Sequence, residues 1–533
     1  MSFDPNDLYG VLPALILSVG ALLLLTSEVF LRAVRPAVLG PAGPAETAQR
    51  ALPPGADSKP QTAEAPPDRR YQAWVAAAFA GAALWAALAQ LGDPAASLFA
   101  GAAVSDGFAR MVAAVVCATL LLSCIVAFSY LESLRATRGE FYALSLFSAS
   151  GMCLLAQATD LIVVFISLEV MSLAVYALCA YLRRGKRPAE AAFKYFILGS
   201  FASAVFLYGA ALAFGATGST RLTDVANAVM RGGGPPGAAG LLYGAAALLT
   251  SGFAFKVAAV PFHMWVPDVY DGAPAPVTGF MAAGVKVAAF ATLVRILVSG
   301  FGPPGEQVLL DWSRLVIWLA ALTMLVGNLL AIPQRSVKRM LAYSSIAHAG
   351  YLLIAVASMQ RSGAVRQDAT QGLLFYLASY AATVIGAFGV VAIIERRLAL
   401  GGGGDDLSSW SGLSERHPGL AAAMSLFMVS LAGVPPTAGF MAKLTVFRAA
   451  VEAGLTPLAV FGVLTSVAGL YYYLRVVVYV YMYPSPKGEP VQGGRLLSAG
   501  LAIAGCALVV LWMGILPGSF AVLTQSAASA FGR

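Results

Sequence analysis

About fourteen runs of roughly twenty apolar residues, parted by short polar segments, follow one another along this chain. A helix rises about 1.5 Å per residue, so about 20 residues cross the about 30 Å hydrocarbon core of a bilayer. In lipid every backbone donor and acceptor needs a partner, which leaves helices and closed barrels as the spanning structures. Runs of this length suit helices. The spacing predicts spans at roughly 11–31, 71–91, 108–130, 139–157, 160–181, 188–214, 238–272, 274–299, 309–332, 338–359, 371–396, 418–453, 457–484 and 495–516. The fold class expected is an all-α polytopic membrane protein. Only 11% of the 533 residues are charged, against about 25% in soluble chains, which excludes a soluble multidomain enzyme and a disordered chain.

The polar ends of the runs orient the chain. Of 34 Lys and Arg, 20 lie in or at the edges of the loops after odd-numbered spans, and 5 lie in the other loops and at the termini. By the positive-inside rule the odd-span loops face the cytoplasm and both termini face the periplasm. The first ten residues carry Asp4 and Asp7 and no base, unlike the start of a signal peptide. Residues 33–70, rich in Pro and Ala, read as a mobile cytoplasmic loop. Residues 217–237 read as an outer loop, and Gly401–Gly404 as a flexible linker.

Spans 7 and 12 are too long and contain Val260-Pro261-Phe262 and Gly433-Val434-Pro435-Pro436. Proline removes a donor and clashes one turn back, so each helix breaks there. Transporter repeats place such breaks at corresponding positions. These two lie five spans apart, and an odd number turns the second unit upside down. The expected organisation is peripheral spans 1–3 (1–138), a first five-helix unit (139–300), a second, inverted one (301–484), and span 14 with a tail (485–533).

Against this background a few charges stand out. Glu169 lies about ten residues into span 5, Lys256, Lys286 and Lys443 lie deep in spans 7, 8 and 12, and Lys194 lies two turns into span 6. A charge at the bilayer centre costs about 2.5–3.5 kcal/mol even on lenient scales. Such residues face the interior, either in structural ion pairs or with a function. Arg110, Arg295 and Arg314, near span ends, read as snorkelling to the interface, and Lys194 has that option too. Lysines held between desolvation and a carboxylate titrate near neutrality, as arginine does not. Glu169 and Lys256 then form a coupled pair, and His348 in span 10 adds a group that titrates in the same range. One titratable group per span, over spans 6, 7, 8, 10 and 12, suits proton hopping better than a single substrate pocket. Counted along the chain, Lys256 precedes its break and Lys443 follows its own, which sits badly with strict inversion.

No Cys-x-x-Cys pair links the five cysteines, and the three histidines are far apart, so neither a metal centre nor an iron–sulfur cluster is expected in this chain. No dinucleotide-binding glycine pattern follows a strand. Nothing points to nucleic acid.

The run Lys256-Val257-Ala258-Ala259-Val260-Pro261-Phe262-His263-Met264-Trp265-Val266-Pro267-Asp268-Val269-Tyr270-Asp271-Gly272-Ala273-Pro274, followed by Pro276-Val277-Thr278, resembles the antiporter-like subunits of respiratory complex I. So do Arg339-Met340-Leu341-Ala342-Tyr343-Ser344-Ser345-Ile346 through Tyr351, and the span-5 glutamate. The likeness covers about 139–484. Within the family, the lysine of Gly433-Val434-Pro435-Pro436-Thr437-Ala438-Gly439-Phe440-Met441-Ala442-Lys443 and the chain end at Arg533 look like the subunit N branch. The resemblance implies a proton-translocating subunit of NADH:quinone oxidoreductase in a bacterial inner membrane. Glu169 and Lys256 would be the working pair, Lys194 a connecting base, Lys286 and His348 a relay, and Lys443 the exit. It implies that NADH, flavin, iron–sulfur clusters and quinone act in partner subunits, with neighbouring antiporter-like and small helical subunits and lipid around this chain. A subunit of a multisubunit cation/proton antiporter shares the same motif, and a purely structural scaffold is a further alternative.

Overall fold

The computed structural model describes residues 4–39, 70–134, 136–182, 186–232, 237–302, 311–361, 363–401, 406–485 and 497–531, without the side chains of 31–39, 186 and 396–401. Among the described residues thirteen helices are long and apolar enough to cross a membrane. The expected fourteenth, span 12, is split into Pro418–Ala432 and Ala438–Glu452, each too short to cross alone. Length therefore misses it, while the proline pair marks it.

The polar segments hold more structure than their composition predicts. Span 1 runs from Leu12 to Leu39, so it continues into the expected mobile loop, whose remainder lies outside the described residues together with Gly402–Gly404. The expected outer loop at 217–237 carries a helix, Leu222–Met230, whose Leu222, Val225 and Val229 are buried. Apolar residues three and four apart give it a face to bury. The tail after span 14 (Leu497–Ile515) forms a helix, Pro517–Ser529. A two-stranded hairpin pairs Ala96–Leu98 with Ala103–Ser105, and Asp106 then caps span 3 (Gly107–Ser133) by accepting from Ala109 N at 2.8 Å.

Burial sorts the spans into layers. In span 8 (Ala275–Gly300) and span 11 (Ala364–Glu395) the whole apolar stretch is buried, and in span 10 (Val337–Ser358) 94% is, whereas spans 2, 13 and 14 bury only 33%. Spans 8, 10 and 11 are the axis of the bundle. The outer spans expose Trp74, Trp85, Phe193, Trp318 and Leu464, a surface at home only in lipid.

Two arginines depart from the expectation of snorkelling. Arg295 is 3% and Arg110 4% exposed. Both oxygens of Asp106 accept from Arg295, at 2.9 and 3.0 Å, Ala156 O takes its Nε–H, and the rings of Phe108 and Phe531 lie 5.5 Å from the guanidinium. Arg110 donates to the carbonyls of Asp93, Pro94 and Ser105. Partners within the protein fold make the interface unnecessary for these two. Arg314 stays 84% exposed beside Asp311.

Candidate proton-handling site

Both broken spans end their first half in the same way. Span 7 runs Ala238–Val257 and turns through Ala258 in the left-handed region (φ 67°), with Ala259 N bonded to Ala254 O at 2.8 Å. The first half of span 12 turns through Gly433 (φ 83°), with Val434 N bonded to Val429 O at 3.1 Å. Each is a six-residue carbonyl-capping turn, which reverses the chain just before the proline. A half-helix ending there directs its negative dipole end and free carbonyls into the bundle.

The two lysines meet these ends from opposite directions. Lys256 stands in the last turn of the first half of span 7. Lys443 belongs to the second half of span 12, and its Nζ reaches back across the break to donate to Leu431 O and Ala432 O, both at 2.9 Å, and to Ser466 Oγ at 2.7 Å. The two are not equivalent in their bonding: Lys443 serves the carboxyl end of the first half of span 12, whereas Lys256 stands within its own half-helix and turns to hydroxyls of another span. A Cβ at Gly433 would lie 2.8 Å from Lys443 Cδ, so this position needs glycine for close approach as well as for its φ.

Glu169 and Lys256 are not in direct contact. Lys256 Nζ donates to Ser172 Oγ at 2.8 Å and Tyr176 Oη at 3.0 Å, both on span 5 (Leu161–Cys179). Ser172 and Tyr176 follow Glu169 by three and seven residues, so all three share one face of that helix. Oε1 of Glu169 is buried and makes no hydrogen bond. Lys194 lies apart from both. It is 40% exposed and ion-paired with Glu190 at 2.7 Å and Asp268 at 2.8 Å, and Asp268 also pairs with Arg339 at 3.0 Å. Its partners Glu190 and Asp268, with Arg339, line a polar cleft of about 190 Å³ together with Arg187 and Asp271. Tyr195 and Trp265 stack at 4.3 Å beside the neighbours of Lys256, Tyr195 against Tyr176 and Trp265 against Phe255, with Trp265 Nε1 donating to Phe255 O.

Lys286, in span 8, donates to Ser345 O and Oγ of span 10, both at 2.5 Å, and lies 5.0 Å from the centre of the Tyr380 ring. A π-helical segment, Met281–Val285, immediately precedes it. His348, one turn beyond Ser345, is held at both nitrogens: Tyr376 Oη lies 2.8 Å from Nδ1 and Tyr473 Oη 3.1 Å from Nε2. Tyr473 also meets Ser344, and Lys443 lies 5.1 Å from the ring of Tyr351. All of Lys256, Lys286, His348 and Lys443 are at most 6% exposed. Three buried cations therefore have hydroxyls and carbonyls as partners, with no carboxylate within ion-pair distance among the described residues. Groups that accept and pass on hydrogen bonds suit an ammonium that gives up its proton better than one fixed in a salt bridge.

The hydroxyl partners Tyr176, Tyr376 and Tyr473, and the ring of Tyr380, are not legible in the sequence, where tyrosine in an apolar helix is ordinary. A buried Lys338, bonded to Ala273 O at 2.8 Å and Glu395 at 3.1 Å, was also unread because it stands at a span end. Among the described residues no group of three or more His, Cys, Asp or Glu is placed to hold a metal ion.

Residues 158–469 match the family described as NADH:quinone oxidoreductase/Mrp antiporter, transmembrane. The chain belongs to this family. Among NADH:quinone oxidoreductase/Mrp antiporter relatives, a protein of Myxococcus xanthus named NADH-quinone oxidoreductase subunit N is 46% identical over 99% of this chain and 98% of its own length. One of Sorangium cellulosum, named NADH-quinone oxidoreductase subunit N 1, is 48% identical over 78% of this chain and 81% of its own. A solved chain of respiratory complex I from Thermus thermophilus superposes with a TM-score of 0.73 at 33% identity, covering 96% of this chain and 99% of that one. A chain of the Mrp complex from a Dietzia species shares the antiporter-family fold, with a TM-score of 0.77 at 22% identity over 98% and 97%.

Proposed function

We infer that this chain is a proton-translocating membrane subunit of NADH:quinone oxidoreductase, with redox chemistry in other subunits driving protons along its midplane. The observation that carries the reading is the series of buried ammonium groups on spans 7, 8 and 12, bonded to hydroxyls and carbonyls, with a doubly bonded histidine between the last two. The subunit N relatives point to the complex it serves. Neighbouring membrane subunits and lipid surround it, and NADH, flavin, iron–sulfur clusters and quinone act elsewhere in the assembly.

In this reading Glu169 biases Lys256 from one turn away on span 5. Lys194 collects protons in the polar cleft, Lys286 and His348 relay, and Lys443 releases. The two units, 139–300 and 301–484, are inverted repeats, supported by the matching half-helix ends at their breaks. The basic loops put the Arg335 end in the cytoplasm and both termini in the periplasm of a bacterial inner membrane. A proton moved against 100 mV costs about 2.3 kcal/mol, so the line must open in steps.

The test is Lys256→Ala in the assembled complex. NADH-driven proton pumping is expected to be abolished or sharply reduced while the complex remains in the membrane. Normal pumping would overturn the assignment. The shared fold of the Mrp chain favours cation/proton exchange as a second reading. Sodium-dependent proton exchange in vesicles without NADH would decide for it.

A further inference from the structure

The mechanism above leaves one buried acid–base pair without use. Lys338, at the start of span 10, has a side chain 2% exposed, and its partner Glu395, near the end of span 11, is 22% exposed. Lys338 Nζ donates to Glu395 Oε1 at 3.1 Å and to Ala273 O at 2.8 Å. Glu395 Oε2 accepts from Ala275 N, in the first turn of span 8, at 3.2 Å and from Tyr130 Oη of span 3 at 3.3 Å. Four spans thus converge on one carboxylate at the basic end of the bundle. One side of the pair is open enough to meet water, and the other is sealed.

The sealed side leads inward. Ser345 follows Lys338 by seven residues, two turns along the same face of span 10, or about 10 Å. Ser345 holds Lys286, and Tyr270 Oη lies 3.4 Å from its hydroxyl. On span 8, Thr278 lies between Ala273 and Lys286 in the chain, and its hydroxyl bonds to Tyr270 O at 3.2 Å. Hydroxyls therefore mark the interval from Lys338 to Lys286.

We propose that Glu395 and Lys338 form a second cytoplasmic proton-uptake site, which loads Lys286 without passing through Lys256. This rests on the proton-translocation reading above. A proton from water binds a Glu395 oxygen and releases the ionic hold on Lys338. The Lys338 ammonium breaks one N–H bond, and that proton crosses the hydroxyl-lined interval through water to Ser345 Oγ, which passes its own hydrogen to the amine that Lys286 becomes once it has given its proton onward. The Glu395 proton then moves to the Lys338 amine and restores the pair. One proton enters, one reaches Lys286, and no other reagent is consumed.

The test uses membranes holding the whole complex. Glu395→Gln keeps the size and the acceptor oxygen but cannot carry the proton. Uncoupled NADH:quinone turnover is expected to fall about tenfold or more, the lower edge for a lost proton-transfer group. In Glu395→Ala, added formate or acetate should restore part of the turnover, because a small acid reaches the mouth that the side chain vacates. A pair that only braces four spans gains nothing from weak acid. Full turnover in an assembled Glu395→Gln, or a loss in Glu395→Ala that no weak acid relieves, overturns the proposal. If the single variants leave no complex, Glu395→Gln/Lys338→Gln, which buries no unpaired charge, carries the first outcome: the same tenfold loss is expected, and full turnover overturns the proposal. Lys256→Ala run beside them separates the failures. If Lys256→Ala sharply lowers pumping while Glu395→Gln keeps full turnover, only the uptake site falls; if Lys256→Ala pumps normally, the broader reading falls.

Discussion

Lys256 shows how little room the site leaves. Its Tyr176 partner packs against span 6, where a Cβ at Gly199 would collide with the Tyr176 hydroxyl. Gly199→Ala is therefore expected to push that hydroxyl off the ammonium and lower NADH-driven pumping, since an unmade buried hydrogen bond costs about 1–3 kcal/mol. In a Tyr176→Ala background the same glycine change should add nothing. An equal, additive loss in both backgrounds would show that Gly199 acts through general packing. The lysines themselves were legible in the sequence because lipid penalises charge, so each one within an apolar run draws notice. Their partners were not. A serine or tyrosine costs an apolar helix little, and whether Ser345 or Tyr473 meets a lysine or a histidine depends on how spans 8, 10 and 13 rotate against one another. The Glu169–Lys256 pair was half legible: the residues were readable, but their separation by Ser172 and Tyr176 is set by packing.

Among elements, the join of span 3 to span 8 is the most exposed to single changes. Asp106 does two tasks there, capping span 3 and neutralising Arg295. Asp106→Ala strands a buried guanidinium, which costs about 3–5 kcal/mol, with about 1 kcal/mol more for the lost cap. The complex should inactivate at a lower temperature and its yield in membranes should drop. Asp106→Ala/Arg295→Met should recover part of the loss, since no charge then remains buried. If the double variant is no better than the single, the ion pair is not the source. The sequence did not disclose this pair, because the partners lie 189 residues apart and each stands at a span end, where an arginine ordinarily finds the interface. The proline breaks, by contrast, were readable locally, since proline stops a helix whatever surrounds it.

For the whole molecule, the layers follow from the buried axis of spans 8, 10 and 11 and a lipid-facing outer set. The axis was not visible in hydropathy, because an apolar residue suits lipid and protein interior alike. The charge asymmetry of the loops predicts orientation. A cysteine at exposed Asp4 should react with an impermeant maleimide from the periplasmic side, and one at exposed Arg335 only in inverted vesicles. The reverse pattern would refute the charge-based topology.

The reach of Lys443 across its own break has a further meaning. As an ammonium it offers three N–H donors, and Leu431 O, Ala432 O and Ser466 Oγ take all three. As an amine it has two donors and a lone pair. On deprotonation the two remaining N–H groups can hold Leu431 O and Ala432 O, and the Ser466 hydroxyl can turn from acceptor to donor toward the lone pair. The carboxyl end of the half-helix thus stays bonded in either charge state of Lys443, and the group that must reorient between the two is a single serine hydroxyl on span 13.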